Sequence, residues 1–211
     1  MPRGFWKGTF KLLFVIAILV GGTVGVLRAF YVDVVTVAHN GMAPTMLLGD
    51  RVLLWRGAKI DRNDIALCRH PQIPDRWVMA RVAATQGQSI SVTRGVLEID
   101  GRRVSRDIQG EGRFTDTETG RSFPASWGIE NFSDYQEHRY LERSDREFTM
   151  RSQTNVGGLF LLSDNRAHTG EDSRAFGVVQ ESTCRGTVFM RLHAAEGMPE
   201  GIPYSDFQRL D

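Results

Sequence analysis

A mainly β domain carried behind a single N-terminal membrane helix is the fold class the sequence predicts, and three observations predict it. Leu12–Val32 is a 21-residue apolar stretch broken only by Thr23, its glycines and Arg28, close to the roughly 20 residues that span a bilayer. Beyond it, apolar residues fall in short β-branched runs separated by Gly, Asp and Asn, with no long period of 3.6. Asp100-Gly101 then supplies a tight hairpin turn between two such runs.

Taken in order, residues 1–11 carry Arg3, Lys7 and Lys11 and no acid, which predicts a cytoplasmic N-terminus with the rest of the chain outside. Arg28 near the end of the 12–32 anchor can snorkel. A cleaved leader would use Thr36-Val37-Ala38 as its small-residue site. The retained anchor is preferred, because that cut would part the span from the motif beside it. The first part of the core, 33–104, holds expected strands at Val32–Ala38, Asp50–Arg56, Ile65–Arg69, Trp77–Ala84, Ser89–Val92, Val96–Ile99 and Arg102–Val104. Residues 105–155 are polar and glycine-containing and read as an inserted β or loop region. The core resumes over 156–193, with strands expected at Val156–Leu162, Ala175–Val179 and Gly186–Leu192. The Gly- and Pro-containing tail, 194–211, is expected to be ordered only where it packs.

Composition narrows the function classes. A net charge of +1 over 211 residues excludes the general phosphate affinity of a nucleic-acid binder. Of 26 basic residues only Lys7, Lys11 and Lys59 are lysines. Two cysteines, Cys68 and Cys184, fit an extracytoplasmic domain that does not rest on a disulfide framework. They pair if their strands are neighbours; two buried thiols are the alternative, and no intermolecular disulfide is expected. No C-x-x-C and no His/Cys cluster occurs, so no metal and no cofactor is expected.

The order of four segments carries a family resemblance. Behind the apolar span come Gly41-Met42-Ala43-Pro44-Thr45 and Gly49-Asp50-Arg51-Val52-Leu53-Leu54. Trp77-Val78-Met79-Ala80-Arg81-Val82 follows, and then Ser163-Asp164-Asn165-Arg166 with Asp172-Ser173-Arg174. Over roughly 12–104 and 156–192 the chain resembles the type I signal peptidases, membrane-anchored serine proteases that remove signal peptides from exported proteins. The resemblance implies a nucleophilic serine at position 41, a serine helping to hold the oxyanion at 39 and a lysine base at 80. This sequence has Gly41, His39 and Ala80 there, and Ala80 is not the histidine of the eukaryotic relatives either. In the last block Ser163 replaces a glycine and one extra residue precedes Asp172, so the serine that orients the lysine falls near Thr169-Gly170. Asp172 and Arg174 are expected to form a structural ion pair. Asn40, Gly41, Met42, Pro44 and Thr45 are the peptide-groove candidates. The resemblance would turn Met42, Met46, Leu47 and Leu48 toward the membrane, with core packing as the alternative.

Residue chemistry then limits the activity. A hydroxyl attacks only with a deprotonated base in reach, and arginine does not lose its proton in proteins. Lys59, the only lysine after the span, sits in a polar turn and is expected at the surface. Thr45 is expected to bond local backbone. A Ser–Lys dyad therefore cannot form at the expected place, and the catalytic positions read as degenerate. The expected function is a non-catalytic pseudopeptidase of a bacterial inner membrane, its main domain periplasmic. It would act as a subunit or scaffold of a membrane complex, or as a binder of signal peptides or exported polypeptides, with membrane lipid as the further partner. An active peptidase rebuilt around His39 is the alternative.

Overall fold

The computed structural model describes residues 3–133, 136–198 and 201–210. Helix α1 runs Arg3–Phe30, and its Phe10–Phe30 stretch, 21 residues of mean hydropathy 2.4, is long and apolar enough to cross a membrane. The helix ends two residues short of the expected Val32. There the backbone turns extended, because Val32 opens β1 (Val32–Thr36) and pairs with Trp55.

After β1 come β2 (Arg51–Arg56), β3 (Ile65–Arg69) and β4 (Trp77–Ala84), then β5 (Ile90–Thr93), β6 (Val96–Ile99) and β7 (Arg102–Arg103). They are followed by β8 (Ser105–Thr115), β9 (Ser122–Ser133), β10 (Gln136–Arg143), β11 (Phe160–Leu162), the one-turn helix α2 (Ser173–Phe176) and β12 (Cys184–His193). The main sheet has the order β1-β2-β12-β3-β4-β11, so β1 is an edge. Strand β4 is central enough that seven of its eight residues are buried, and it reads accordingly as an apolar run broken only by Arg81 rather than as an alternation. The β5–β7 meander turns on Asp100 and Gly101, both at positive φ (51° and 73°), the conformation a two-residue hairpin requires. Strands β8, β9 and β10 form a separate antiparallel sheet, in the order β10-β9-β8. Its Phe114, Phe123, Ala125 and Leu141 pack on Ala43 and Leu47.

Ala175–Val179 departs from its expected strand. Asp172 caps Ser173–Phe176 by accepting the Arg174 N–H, which winds the segment into α2, and only Val179 pairs, as an isolated bridge to Leu159. The tail is tied down. Gln208 O accepts from Arg191 N at 2.7 Å, and Leu210 N donates to Phe189 O at 3.0 Å. Tyr204 hydroxyl and Arg191 Nε both donate to buried Asp50.

Strand β12 inserts between β2 and β3 and sets Cys184 directly opposite Cys68, and the two form a disulfide. Of the two alternatives the sequence left open, pairing is the one found. The crosslink closes a loop with a sequence separation of 116, so removing it by Cys68→Ser/Cys184→Ser should cost about 2–5 kcal/mol. Chemical denaturation of the domain in detergent, with and without reductant, measures this; no change in midpoint would mean that the sheet alone holds β12.

Candidate functional site

His39 has extended backbone (φ −155°, ψ 164°) and caps a 3₁₀ turn, Asn40–Met42, by accepting the Gly41 N–H on Nδ1 at 3.1 Å. That bond places the imidazole proton on Nε2. Asn40 is fully buried and bonds on every side. Its Nδ2 donates to Asp116 Oδ1 at 2.6 Å and Thr117 Oγ1 at 3.0 Å, and its Oδ1 accepts from Leu48 N at 2.9 Å. Asn165 closes the other flank, giving its side chain to Asn40 O at 3.1 Å and its N–H to Gly41 O at 2.9 Å. Thr45 does not bond local backbone. Its hydroxyl donates to Asp164 at 2.5 Å, and Asp164 also takes two bonds from Arg81, at 2.8 and 2.7 Å. The loop after β1 is thereby fixed by residues of the last sequence block.

Of the groove candidates, Asn40, Met42, Pro44 and Thr45 are buried and face inward. Met42 and Met46 join the main core and Leu47 the smaller one, so core packing, not a membrane face, accounts for them. The open cavity beside the loop, about 230 Å³, is lined instead by Val35, Ala38, His39, Leu67, Trp77 and Met79. It lies next to edge strand β1, where pairing with β2 leaves one backbone edge without a strand among the described residues.

At the nucleophile position itself, Gly41 is buried under two imidazoles. His39 stacks on His168 at 5.7 Å and 12°. A Cβ on Gly41 would lie 2.8 Å from His39 Nδ1, 3.0 Å from its Cε1 and 3.4 Å from His168 Cδ2. The residue brought over position 41 by the last block is thus His168, one place before Thr169-Gly170. His39 Nε2 lies 4.0 Å from Glu171 Oε2, a buried oxygen with no hydrogen-bond partner among the described residues, while Glu171 Oε1 accepts from Arg76. His168, Glu171 and Arg76 were not singled out in the sequence; the H-T-G-E-D spacing of the last block was the sign available. Ala80 is fully buried in the main core, across from Ala66. Lys59 is exposed and pairs with Asp61 at 2.8 Å. Asp172 and Arg174 pair at 2.6 Å, and Arg174 also holds the carbonyls of Arg166 and His168.

Chemically, position 41 offers no hydroxyl and position 80 no amine. The Gly41 N–H, the kind of donor that steadies an oxyanion in acyl transfer, is already bonded to His39. Among the described residues no three His, Cys, Asp or Glu side chains converge to hold a metal ion.

Burial, then the neighbouring His168 and Arg76 side chains, lowers the His39 pKa from 6.5 to about 4. Between those values the unfolded chain binds the proton and the folded chain does not, so stability rises with pH across the window and is lost as pH falls from about 6.5 to about 4. Thermal melts across that range should show this slope, and His39→Gln should flatten it. Buried His138, also held below its usual value chiefly by burial, supplies a slope the variant keeps. An unchanged profile in His39→Gln would show that folding does not shift the His39 pKa.

A second expectation follows from the space at position 41. Gly41→Ser should destabilise by roughly 1–3 kcal/mol through overpacking, and His39→Ala in the same chain should recover part of that loss. The double-mutant cycle measures the coupling; strict additivity would mean that the imidazole does not fill the serine's place.

Comparison with curated proteins finds no match. The family model described as Signal peptidase, peptidase S26, matches residues 6–193, nearly the whole chain from within α1 to the end of β12, and the protein belongs to that family.

Proposed function

We propose that the protein binds extended segments of exported polypeptides, signal peptides among them, without cutting them. One observation supports the reading: a sheet edge and a cavity lie beside position 41 while position 41 itself is filled. The edge of β1 and the mainly apolar cavity beside Val35, Ala38, Trp77 and Met79, which Arg185 also lines, remain open among the described residues. A peptide strand added to that edge would bond through its backbone and place a small side chain in the cavity. His39, meanwhile, takes the space and the backbone donor that acyl transfer needs. With the N-terminus in the cytoplasm, α1 would hold this groove at the outer surface of the bacterial inner membrane.

The test uses the full chain in detergent with a fluorescent signal peptide. Saturable binding is expected, with intact peptide recovered after long incubation. Ala38→Trp, which fills the cavity, should weaken binding at least about tenfold, equivalent to ~1.4 kcal/mol. Absence of binding, together with co-purification of fixed membrane subunits, would favour a scaffold role. Recovery of cleaved peptide would favour an active peptidase.

A further inference from the structure

Strand β8 is the outer strand of the smaller sheet, and among the described residues only β9 pairs with it. Its ladder slips once, between Ile108 and Gly110, which leaves Gln109 as a bulge. Beyond the bulge the pairing is regular from Gly110 to Thr115. Glu111, Gly112, Arg113 and Thr115 are exposed there, and among the described residues this stretch makes no backbone bond outside its pairing with β9. A row of unpaired N–H and C=O groups is a template for another strand.

Charge usually blunts such an edge, but here the charges complement themselves. Glu111 and Arg113 lie opposite Ser126 and Pro124 of β9, two places apart, so they share a face with Gly112 between them. Neither makes an ion pair among the described residues. Laid antiparallel on a second copy about Gly112, the strand sets Glu111 opposite Arg113 twice. Moving the centre by one residue sets Glu111 opposite Glu111, or Arg113 opposite Arg113, which is unfavourable. One register is therefore preferred.

The other face carries an aromatic. A Cβ on Gly110 would lie 2.7 Å from Trp127 Cε2, and one on Gly112 3.1 Å from Trp127 Cη2, so the half-buried indole lies across the edge strand. Opposite Cβ positions in an antiparallel pair are about 4.5–5.5 Å apart. With Gly112 on the two-fold axis, the two indoles would meet over it.

We infer that β8 is a self-association edge: Gly110–Phe114 of two copies pair about Gly112 and join the two small sheets into one of six strands. The interface is isologous, so it closes at a dimer. It is short, but anchors that hold both copies in one bilayer raise their effective concentration. The inference does not depend on the groove beside β1, which belongs to the other sheet.

The experiment is sedimentation equilibrium of the full chain in density-matched detergent, at a high ratio of protein to micelles. The unmodified chain should form a reversible dimer. Glu111→Arg and Arg113→Glu should each weaken it at least about tenfold, because two attractive pairs become two repulsive ones. An equimolar mixture of the two variants should dimerise again, since the charges of each then face their opposites in the other. Both positions are exposed, so thermal melts of the variants should match that of the unmodified chain. A chain monomeric at every concentration overturns the inference. So does a dimer equally tight in both variants, which would use another surface, or a mixture no tighter than either variant alone.

Discussion

Incubated with a preprotein, the purified protein should leave it intact, and Gly41→Ser should leave it intact as well. A serine at 41 arrives without a base, since Ala80 ends in a methyl group inside the core and the only lysine beyond α1, Lys59, is exposed and paired with Asp61. Its hydroxyl is then a weak nucleophile. Loss of such a nucleophile–base unit costs about 10⁶ in rate in a well-studied serine protease. Gly41→Ser/Ala80→Lys should still fail. The new serine meets His39 at 2.8 Å, and the 41 N–H remains bonded to that ring. Only with His39→Ser added does the loop regain both space and a free donor. Even then His168 stands over position 41, and misplacement of about 1 Å can cost about 10²-fold. Mass spectrometry of a labelled preprotein after overnight incubation measures all four proteins. Cleavage by the unmodified chain, abolished by His39→Ala, would replace the binding reading with a rebuilt active site around His39 and Glu171.

How far the sequence reveals this site depends on the range of the interactions involved. Strands β3, β4 and β6 fall where apolar runs and turn residues place them, because those cues are local. The loss of hydroxyl and amine at 41 and 80 is legible for the same reason, residue identity against a linear frame. Asn40, by contrast, reads as a groove residue until Asp116 and Thr117, more than seventy positions away, are found bonded to it. Thr45 reads as a local turn hydroxyl until Asp164 appears beside it. His168 over Gly41 depends on how an irregular loop is wound, and no hydrophobic period reports that. The Cys68–Cys184 pair stays undecided in sequence because it needs the non-consecutive insertion of β12 beside β3. The strand expected at Ala175–Val179 fails because one cap, Asp172, outweighs the β propensity of a few residues.

The buried pair of Arg81 and Asp164 should prove the most sensitive point of the fold. Both side chains are 1% exposed and share two bonds, while Arg81 Nη1 donates to Asn63 O at 2.8 Å. Replacing Asp164 by Ala leaves a guanidinium buried without its counter-charge, at a cost of about 3–5 kcal/mol. For a domain of this size that is a fall in melting temperature of roughly 6–20 °C. The Asp164→Leu/Arg81→Met double variant, which removes both charges and keeps volume, should be less damaging than Asp164→Ala. The effect should also reach the functional loop, because Asp164 accepts the Thr45 hydroxyl and its neighbour Asn165 holds Gly41 O. Amide exchange at Asn165, whose N–H makes that bond, should therefore quicken in Asp164→Ala more than exchange within β6, which lies in a separate sheet. Thermal melts and hydrogen exchange by mass spectrometry give the two readouts. A loss below about 1 kcal/mol in Asp164→Ala, the range of an exposed ion pair, would show that water reaches Arg81 and that the loop carrying His39 and Gly41 is held by something else.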